Sequence, residues 1–222
     1  MSSDTHAGNG TRILLVEDHQ IIQQALRMGL EGLGFHVQAC AGLSVDEVVG
    51  AAQSTGADVV LLDFYLEAGD SLPMIHPLVA GGKLVVMLTG MEDPVLLGRC
   101  LAAGASGIVQ KAQPLDDLVR AVVDLTNGHA IVRPADRDAM VAASRDAAAA
   151  EASRNALFET LTSRERQVLA GLIRGKSAEQ IANEEYVSLA TVRSHIRSIL
   201  AKLVVKSQLA AVALAREAGW GA

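Results

Sequence analysis

Residues 59–63, with the sequence VVLLD, most constrain the fold of this 222-residue chain. Four large apolar residues without polar alternation predict a strand that is buried on both faces, as in a parallel sheet covered by helices. Asp63 then stands at the carboxyl end of that strand. In open α/β sheets this edge is where ligands bind. The stretch therefore predicts an α/β fold with a carboxylate at its functional edge.

Three further apolar runs end in polar residues in the same way. Residues 13–16 run into Glu17 and Asp18, residues 84–88 into Thr89, and residues 107–110 into Lys111. With the helical patterns between them, the strands form β/α units typical of a doubly wound, five-stranded parallel sheet in the flavodoxin-like order 2-1-3-4-5. The predicted strands cover 12–16, 35–40, 58–63, 83–88 and 106–110, and the predicted helices cover 20–33, 44–53, 72–79, 92–103 and 114–126, with a loop over 64–71.

The polar residues at these strand ends predict a magnesium site. Several neighbouring carboxylates cannot all ionise at low cost unless a cation lies among them, and all-oxygen ligands favour Mg²⁺. An aspartate beside Mg²⁺ can accept a phosphoryl group, and that transfer needs charge neutralisation more than proton chemistry. We therefore predict the following roles: Asp63 as phosphoacceptor and metal ligand, Glu17, Asp18 and the backbone carbonyl of Tyr65 as metal ligands, Thr89 and Lys111 as phosphoryl contacts, and Gly90 as a position that leaves access.

The composition changes along the chain. The net charge is −9 up to residue 130 and +3 over residues 157–222, which favours a different partner for each part. The polar segment 1–11 is expected to be a disordered lead, and no apolar run approaches the ~18 residues of a membrane span, so a cytoplasmic protein is expected. Residues 128–157 are rich in alanine and predict a partly helical linker between a domain at 12–127 and one at 158–222.

Residues 158–222 predict an all-α domain of four helices, with the third over 189–203. Thr162 and Glu165 match a capping box at the first helix, and Ser188 is a suitable cap for the third. A short helix followed by a capped helix carrying arginines fits a helix-turn-helix, the second helix of which enters the major groove of DNA. An amphipathic helix with an ordinary charged face is the alternative, and periodicity alone favours it. The arginine face suggests Arg197 as a DNA contact.

The strings 15–19 (LVEDH), 61–63 (LLD), 88–90 (LTG) and 104–111 (GASGIVQK) resemble the receiver domain of two-component response regulators over residues 12–127. The resemblance implies that a sensor histidine kinase phosphorylates Asp63 and that the domain then switches between two states. The family usually has Met-Pro three and four residues after the acceptor, where this chain has Leu66 and Glu67. It also usually has an aromatic switch residue where this chain has Ile108, so this part of the switch departs from the pattern.

The strings 161–169 (LTSRERQVL), 181–182 (IA), 187–188 (VS), 191–195 (TVRSH) and 199–203 (ILAKL) resemble the LuxR-type DNA-binding domain. A receiver joined to this domain is the NarL/FixJ arrangement of transcriptional regulators. The resemblance implies that Arg193 faces the groove, that Thr191 and Lys202 contact phosphates, and that Leu209, Val212 and Ala213 form a dimerisation seam on the fourth helix.

These patterns predict a response regulator transcription factor, not an enzyme, which takes Mg²⁺ and forms a homodimer on double-stranded DNA when activated. The alternative is a regulator of the same architecture without phosphate control, motivated by Ile108 and the missing Met-Pro pair. A third hypothesis, a phosphohydrolase with an aspartate nucleophile, requires a second acid two residues after Asp63. Tyr65 stands there, which disfavours it.

Overall fold

A computed structural model describes residues 10–40 and 44–220. The chain divides into two compact units, Met1–Arg145 and Asp146–Ala222. In these described ranges no helix combines the length and the apolar character needed to cross a membrane. Most of the predicted lead over 1–11 lies outside the described residues. Thr11 is described, and its carbonyl accepts a hydrogen bond from the His36 backbone at 3.0 Å.

A five-stranded parallel sheet forms the centre of the first unit, with the order β2-β1-β3-β6-β7. The strands are β1 (Arg12–Val16), β2 (His36–Cys40), β3 (Val59–Asp63), β4 (Tyr65–Leu66), β5 (Gly69–Asp70), β6 (Leu84–Thr89) and β7 (Gly107–Gln110). The predicted order is confirmed, with β6 and β7 as the predicted fourth and fifth strands. The predicted loop over 64–71 was wrong in part, because β4 and β5 pair as an antiparallel hairpin there. Each of these strands has two residues, which is too short for the alternation of apolar and polar residues that would predict a strand from the sequence.

Four helices connect the strands of this sheet and a fifth follows its last strand: α1 (Gln20–Glu31), α2 (Val45–Ser54), α3 (Leu72–Ala80), α4 (Pro94–Ala102) and α5 (Leu115–Thr126). Ser44 caps α2, since Ser44 and Glu47 form a reciprocal capping box. Asp93 caps α4 by accepting a hydrogen bond from the Val95 backbone at 2.9 Å. Each cap satisfies a backbone donor that the first turn of a helix leaves unpaired.

Alternate residues of the strands fill two cores, one on each face of the sheet. Leu61 packs with α1 and α5 residues on one face, and Leu62 packs with α2 and α3 residues on the other. All five residues of β3 are buried. Because successive strand residues point to opposite faces, a strand can be apolar throughout only when both faces are covered. This explains why the central run 59–62 lacks polar residues.

The alanine-rich segment forms one continuous helix, α6 (Pro134–Glu159). Its first turns pack against α4 in the first unit: an ideal Cβ at Gly98 would stand 2.0 Å from the Met140 carbonyl oxygen. Arg137 donates hydrogen bonds to the carbonyls of Leu101 and Ala105 at 3.0 and 2.9 Å. Ser144, in the same stretch of α6, is buried. A glycine contact with backbone carries no hydrophobic signal, so sequence reasoning expected little burial here.

The second unit is helical, with α7 (Ser163–Ile173), α8 (Ala178–Glu184), α9 (Leu189–Lys202) and α10 (Gln208–Glu217). The predicted capping box of Thr162 and Glu165 and the predicted cap at Ser188 are confirmed. Leu169, Val192 and Ile199 are fully buried where the helices meet. These four helices match the predicted all-α arrangement, with α8 and α9 as the helix-turn-helix pair.

Candidate functional site

The polar ends of the central strands meet at one edge of the sheet. Asp63 pairs in register with Leu88, directly before Thr89, and Thr89 pairs with Gln110, directly before Lys111. The Thr89 carbonyl accepts a hydrogen bond from the Lys111 backbone at 2.8 Å. The parallel register therefore brings together residues that lie up to 94 positions apart in the sequence, from Glu17 to Lys111.

A compact cluster of opposite charges results. The Lys111 ammonium nitrogen lies 2.6 Å from Glu17 Oε2 and 2.6 Å from Asp63 Oδ2. His19 Nδ1 lies 2.8 Å from Glu17 Oε1 and 2.9 Å from Asp18 Oδ1. One potential ligand atom from each of Glu17, Asp18, His19 and Asp63 lies within 4.8 Å of all the others. The predicted carboxylate group and Lys111 are thus in mutual contact.

The carboxylates retain unused acceptor capacity. Glu17 Oε2 and Asp63 Oδ2 are buried and each lies 2.6 Å from the Lys111 ammonium, and Asp18 Oδ1 is buried 2.9 Å from His19 Nδ1. A carboxylate oxygen has two lone pairs, so each of these oxygens can accept a second partner. Three oxygens gathered in one pocket suit a hard divalent cation such as Mg²⁺, so the residues present fit the metal that the sequence predicted. The Tyr65 amide donates to Asp63 Oδ1 at 3.3 Å, and a metal contact by its carbonyl stays a prediction.

The surroundings of Asp63 favour a second positively charged partner in addition to Lys111. Burial raises the pKa of Asp63, the Lys111 ammonium lowers it, and the neighbouring Glu17 charge raises it again, with a net pKa above the ordinary value. Burial disfavours the charged form because water no longer solvates it. A cation beside this carboxylate would therefore favour its ionised form.

The remaining predicted pocket residues, Thr89, Gly90 and Ile108, differ in their surroundings. Thr89 is buried, and its hydroxyl oxygen accepts a hydrogen bond from the Met91 backbone at 3.0 Å. Gly90 is exposed, and a Cβ built there would meet no atom within 4 Å. Ile108 is half-buried and packs against the core on the face of α2 and α3. The position of Gly90 thus leaves empty space where a larger residue would place its side chain.

Sequence reasoning missed two residues that touch this site. His19 contacts the acids although it was expected only as part of a family string, and its place directly after Asp18 is the signal that could have indicated it. Ser71 is fully buried and donates its hydroxyl to the Asp63 carbonyl at 2.6 Å. This bond ties the hairpin loop to the end of β3, a contact across eight residues that no periodicity indicates.

The DNA-contact candidates lie on α9 with different surroundings. Arg193 and Arg197 are exposed, and within the described residues neither side chain has a hydrogen bond or ion pair. The Thr191 hydroxyl lies 2.8 Å from the Ser188 hydroxyl, and its backbone donates to Ser188 in the cap. Two guanidiniums are therefore available to a partner, and Thr191 belongs to the capped first turn.

Lys202, the fourth candidate, has a partner inside its own unit. Its ammonium lies 2.6 Å from Glu165 Oε2 and 3.0 Å from the Thr160 carbonyl oxygen. Glu165 also accepts a hydrogen bond from Ser198 at 2.5 Å. Burial raises the pKa of Glu165, but hydrogen bonds from Lys202, Ser198 and Thr162 outweigh that effect and lower it to about 2. Lys202 thus holds α9 against α7, and its contact with phosphate stays a prediction.

The predicted dimerisation seam is on the outside of α10. Leu209 is 80% exposed, Ala213 is exposed and Val212 is half-buried. Residues three or four positions apart share one face of a helix. The three side chains therefore form a small apolar surface, which fits the predicted use without testing it.

Two family models match this chain. The response regulator receiver domain matches residues 13–123, and the luxR family of bacterial regulatory proteins matches residues 159–215. The fold and both matches define a DNA-binding response regulator, as the sequence predicted.

Relatives of similar length support that class. The transcriptional regulatory protein DesR of Bacillus subtilis is 26% identical over 208 residues, covering 94% of this chain and 98% of the relative. A nitrate/nitrite response regulator homolog of Haemophilus influenzae is 28% identical, covering 91% and 95%. A crystal structure of a LuxR-family response regulator from an Aurantimonas species has a TM-score of 0.51 at 25% identity, over 60% of this chain and 96% of that one. This chain belongs to the response regulator family with a receiver domain and a LuxR-type DNA-binding domain.

Proposed function

We propose that Asp63 accepts a phosphoryl group from a sensor histidine kinase, with Mg²⁺, and that phosphorylation controls dimerisation and DNA binding by the second unit. The observation that carries this proposal is the Lys111 ammonium 2.6 Å from Asp63 Oδ2, in a pocket that also gathers Glu17, Asp18 and His19. A lysine and several carboxylates on one strand edge suit phosphoryl chemistry, which requires charge neutralisation and positioning.

In the proposed step an Asp63 oxygen forms a bond to phosphorus while the bond from phosphorus to the kinase histidine nitrogen breaks. The leaving nitrogen keeps the electron pair. The Lys111 ammonium pairs with one phosphoryl oxygen, and the Thr89 hydroxyl donates to another. The Thr89 oxygen already accepts from the Met91 backbone, so its proton remains free for the phosphoryl group. The absence of a side chain at Gly90 is proposed to leave access for the donor.

Glu17, Asp18 and Asp63 would hold Mg²⁺, with the Tyr65 carbonyl as a proposed further ligand. The ion supplies positive charge that offsets the charge of the incoming phosphoryl oxygens. Lys111 contacts Glu17 as well as Asp63, so this one side chain orients two of the proposed ligands.

The test uses the full-length chain, a small acyl phosphate and Mg²⁺. We expect a mass gain of one phosphoryl group, lost in Asp63→Asn and without Mg²⁺, and a tighter complex with the operator. Asp70→Asn is the matched control, because Asp70 is an exposed aspartate of the neighbouring hairpin and should leave the mass gain unchanged. Absence of a mass gain in the wild type, or the same gain in Asp63→Asn, would contradict the proposal.

A regulator of the same architecture without phosphate control is the second candidate. Ile108 favours it, because an aliphatic residue stands where the family usually has an aromatic switch residue, and Ile108 is half-buried. This candidate predicts equal DNA affinity for the wild type and Asp63→Ala, with or without acyl phosphate. A phosphorylated protein that binds DNA no better than the unmodified one would select it.

The DNA and dimer contacts extend the proposal. Arg193 and Arg197 are proposed to contact DNA directly, and Thr191 is proposed to contact a phosphate at the start of α9. The Lys202 ammonium can contact a phosphate only if it binds the phosphate together with Glu165 or breaks its ion pair with Glu165. Leu209, Val212 and Ala213 are the proposed seam between two copies, which would place two recognition helices on paired half-sites.

A further inference from the structure

The surface of α9 that points away from its own core has an unusual composition. The helix buries Val192, Ile196 and Ile199. At 100° per residue, the opposite side carries Ala190, Ser194, Arg197 and Ala201, all exposed, with Arg193 beside them. This outward face of α9 contains no acidic residue. It therefore offers small side chains beside two guanidiniums that have no partner among the described residues.

The exposed residues in the first turn of α9 determine which features of the bases this face can contact. In a helix-turn-helix the N-terminal residues of the second helix contact base edges. Leu189 is half-buried against the core of the second unit, whereas Ala190 is exposed. Ala190 has only a methyl group to offer, so it can read no hydrogen-bond donor or acceptor. In the major groove the one apolar base feature is the C5-methyl group of thymine.

We propose that Ala190 contacts the C5-methyl group of a thymine, so that each half-site of the operator favours a T·A pair at that position. This inference rests on the proposed DNA-binding function. Charge complementarity selects DNA as the occupant of the face, because Arg193 and Arg197 are exposed, neither has a partner in the part of the chain that the structure describes, and the face has no acid. Arginine holds the helix on phosphates or on guanine while the apolar contact discriminates thymine.

The expected discrimination is modest and measurable. Removing one methyl-sized apolar contact changes affinity by roughly fourfold, the fold-change that corresponds to burial of one such group. Deoxyuridine differs from thymidine only by that methyl group and keeps the same pairing. Replacing single thymines by deoxyuridine therefore isolates the proposed contact from every hydrogen bond.

The experiment begins with DNA selected from a random pool by the full-length chain, with and without prior treatment by acyl phosphate and Mg²⁺. Each thymine of the selected half-site is then replaced by deoxyuridine. For the wild type we expect one thymine whose replacement weakens binding roughly fourfold, and no effect of the same replacement in Ala190→Gly. Ala201→Gly is the matched control, since Ala201 is exposed on the same face at the far end of α9 and should keep the fourfold loss.

The outcomes separate the inference from the proposed function. Both glycine variants carry the same helix-propensity cost, and Trp220 fluorescence reports whether the second unit stays folded. If a sequence is selected but no deoxyuridine replacement weakens binding, or if Ala190→Gly keeps the loss, the thymine contact is wrong and DNA binding stands. If no sequence is selected at all, both the inference and the DNA-binding function fail.

Discussion

Glu165 shows how one buried charge fixes the position of a helix. Its carboxylate joins the start of α7 to Ser198 and Lys202 of α9. Its pKa is lowered from the ordinary value of 4.5 to about 2, so the folded state favours the ionised form. The stabilisation is fully present above pH 4.5 and is lost as the pH falls through the folded pKa near 2.

We therefore predict that Glu165→Gln removes the loss of stability that the wild-type second unit shows between pH 4.5 and 2. Urea unfolding of the full chain measures this, followed by fluorescence of Trp220, the single tryptophan, which stacks on Phe158 at 5.5 Å. Glu185→Gln is the matched control, because Glu185 only approaches Arg164 at 3.4 Å on the surface and should leave the pH dependence in place. An identical pH slope in Glu165→Gln and the wild type would refute the prediction.

At the residue scale, sequence reasoning identified the side chains whose position follows from strand register. Asp63, Thr89 and Lys111 end neighbouring parallel strands, so their meeting is a consequence of topology alone. The contacts it missed depend on rotamers and on packing between distant helices. Lys202 is the example: the family resemblance implied a phosphate contact, and only the tertiary structure reveals Glu165 as its partner.

At the scale of elements, the contact between α4 and α6 depends on a missing side chain. A Cβ at Gly98 would stand 2.0 Å from the Met140 carbonyl oxygen and 2.9 Å from the Ser144 Cβ. Backbone on the opposing side cannot turn away as a flexible side chain can. Any larger residue at Gly98 therefore has to push the first turns of α6 off α4.

We predict opposite effects of one substitution at two helical glycines. Gly98→Ala should lower the free energy of unfolding by about 1–3 kcal/mol through overpacking and should speed amide exchange in α6. Gly50→Ala, in α2 with no atom within 4 Å of its Cβ, should raise it by about 0.5–1 kcal/mol through helix propensity. Urea unfolding followed by circular dichroism, with hydrogen exchange over 134–145, measures both. Stabilisation by Gly98→Ala would contradict the observed packing.

Which helices and strands could be predicted from the sequence depends on whether they bury large side chains. Long buried runs and capped amphipathic stretches are visible in sequence, and the sheet order followed from right-handed crossovers. Helix α6 was expected to be only partly helical with little to bury, because its contact surface consists of Gly98, Ser144 and backbone carbonyls. Hydrophobic periodicity indicates the burial of large side chains, but it does not indicate close contact between small ones.

At the scale of the whole molecule, the apolar surface on α10 sets the expected assembly. In a two-fold dimer each residue of the seam is buried twice, once from each copy. Burial of a leucine side chain is worth roughly 1.5–3 kcal/mol, so two charged replacements weaken a dimer at least tenfold. Leu209 is the most exposed member of the proposed seam, at 80%.

We predict that the phosphorylated wild type dimerises and that Leu209→Lys raises the dimer dissociation constant at least tenfold, without changing the phosphoryl mass gain at Asp63. Light scattering after size-exclusion chromatography measures the dimer, and mass spectrometry measures the modification. Met28→Lys is the comparison, because Met28 is 74% exposed on α1 in the first unit and lies outside the proposed seam. Loss of the dimer in Met28→Lys but not in Leu209→Lys would contradict the proposed seam and would indicate that the interface lies in the receiver. Since paired half-sites need two copies, Leu209→Lys should also weaken binding to a full operator more than to a single half-site.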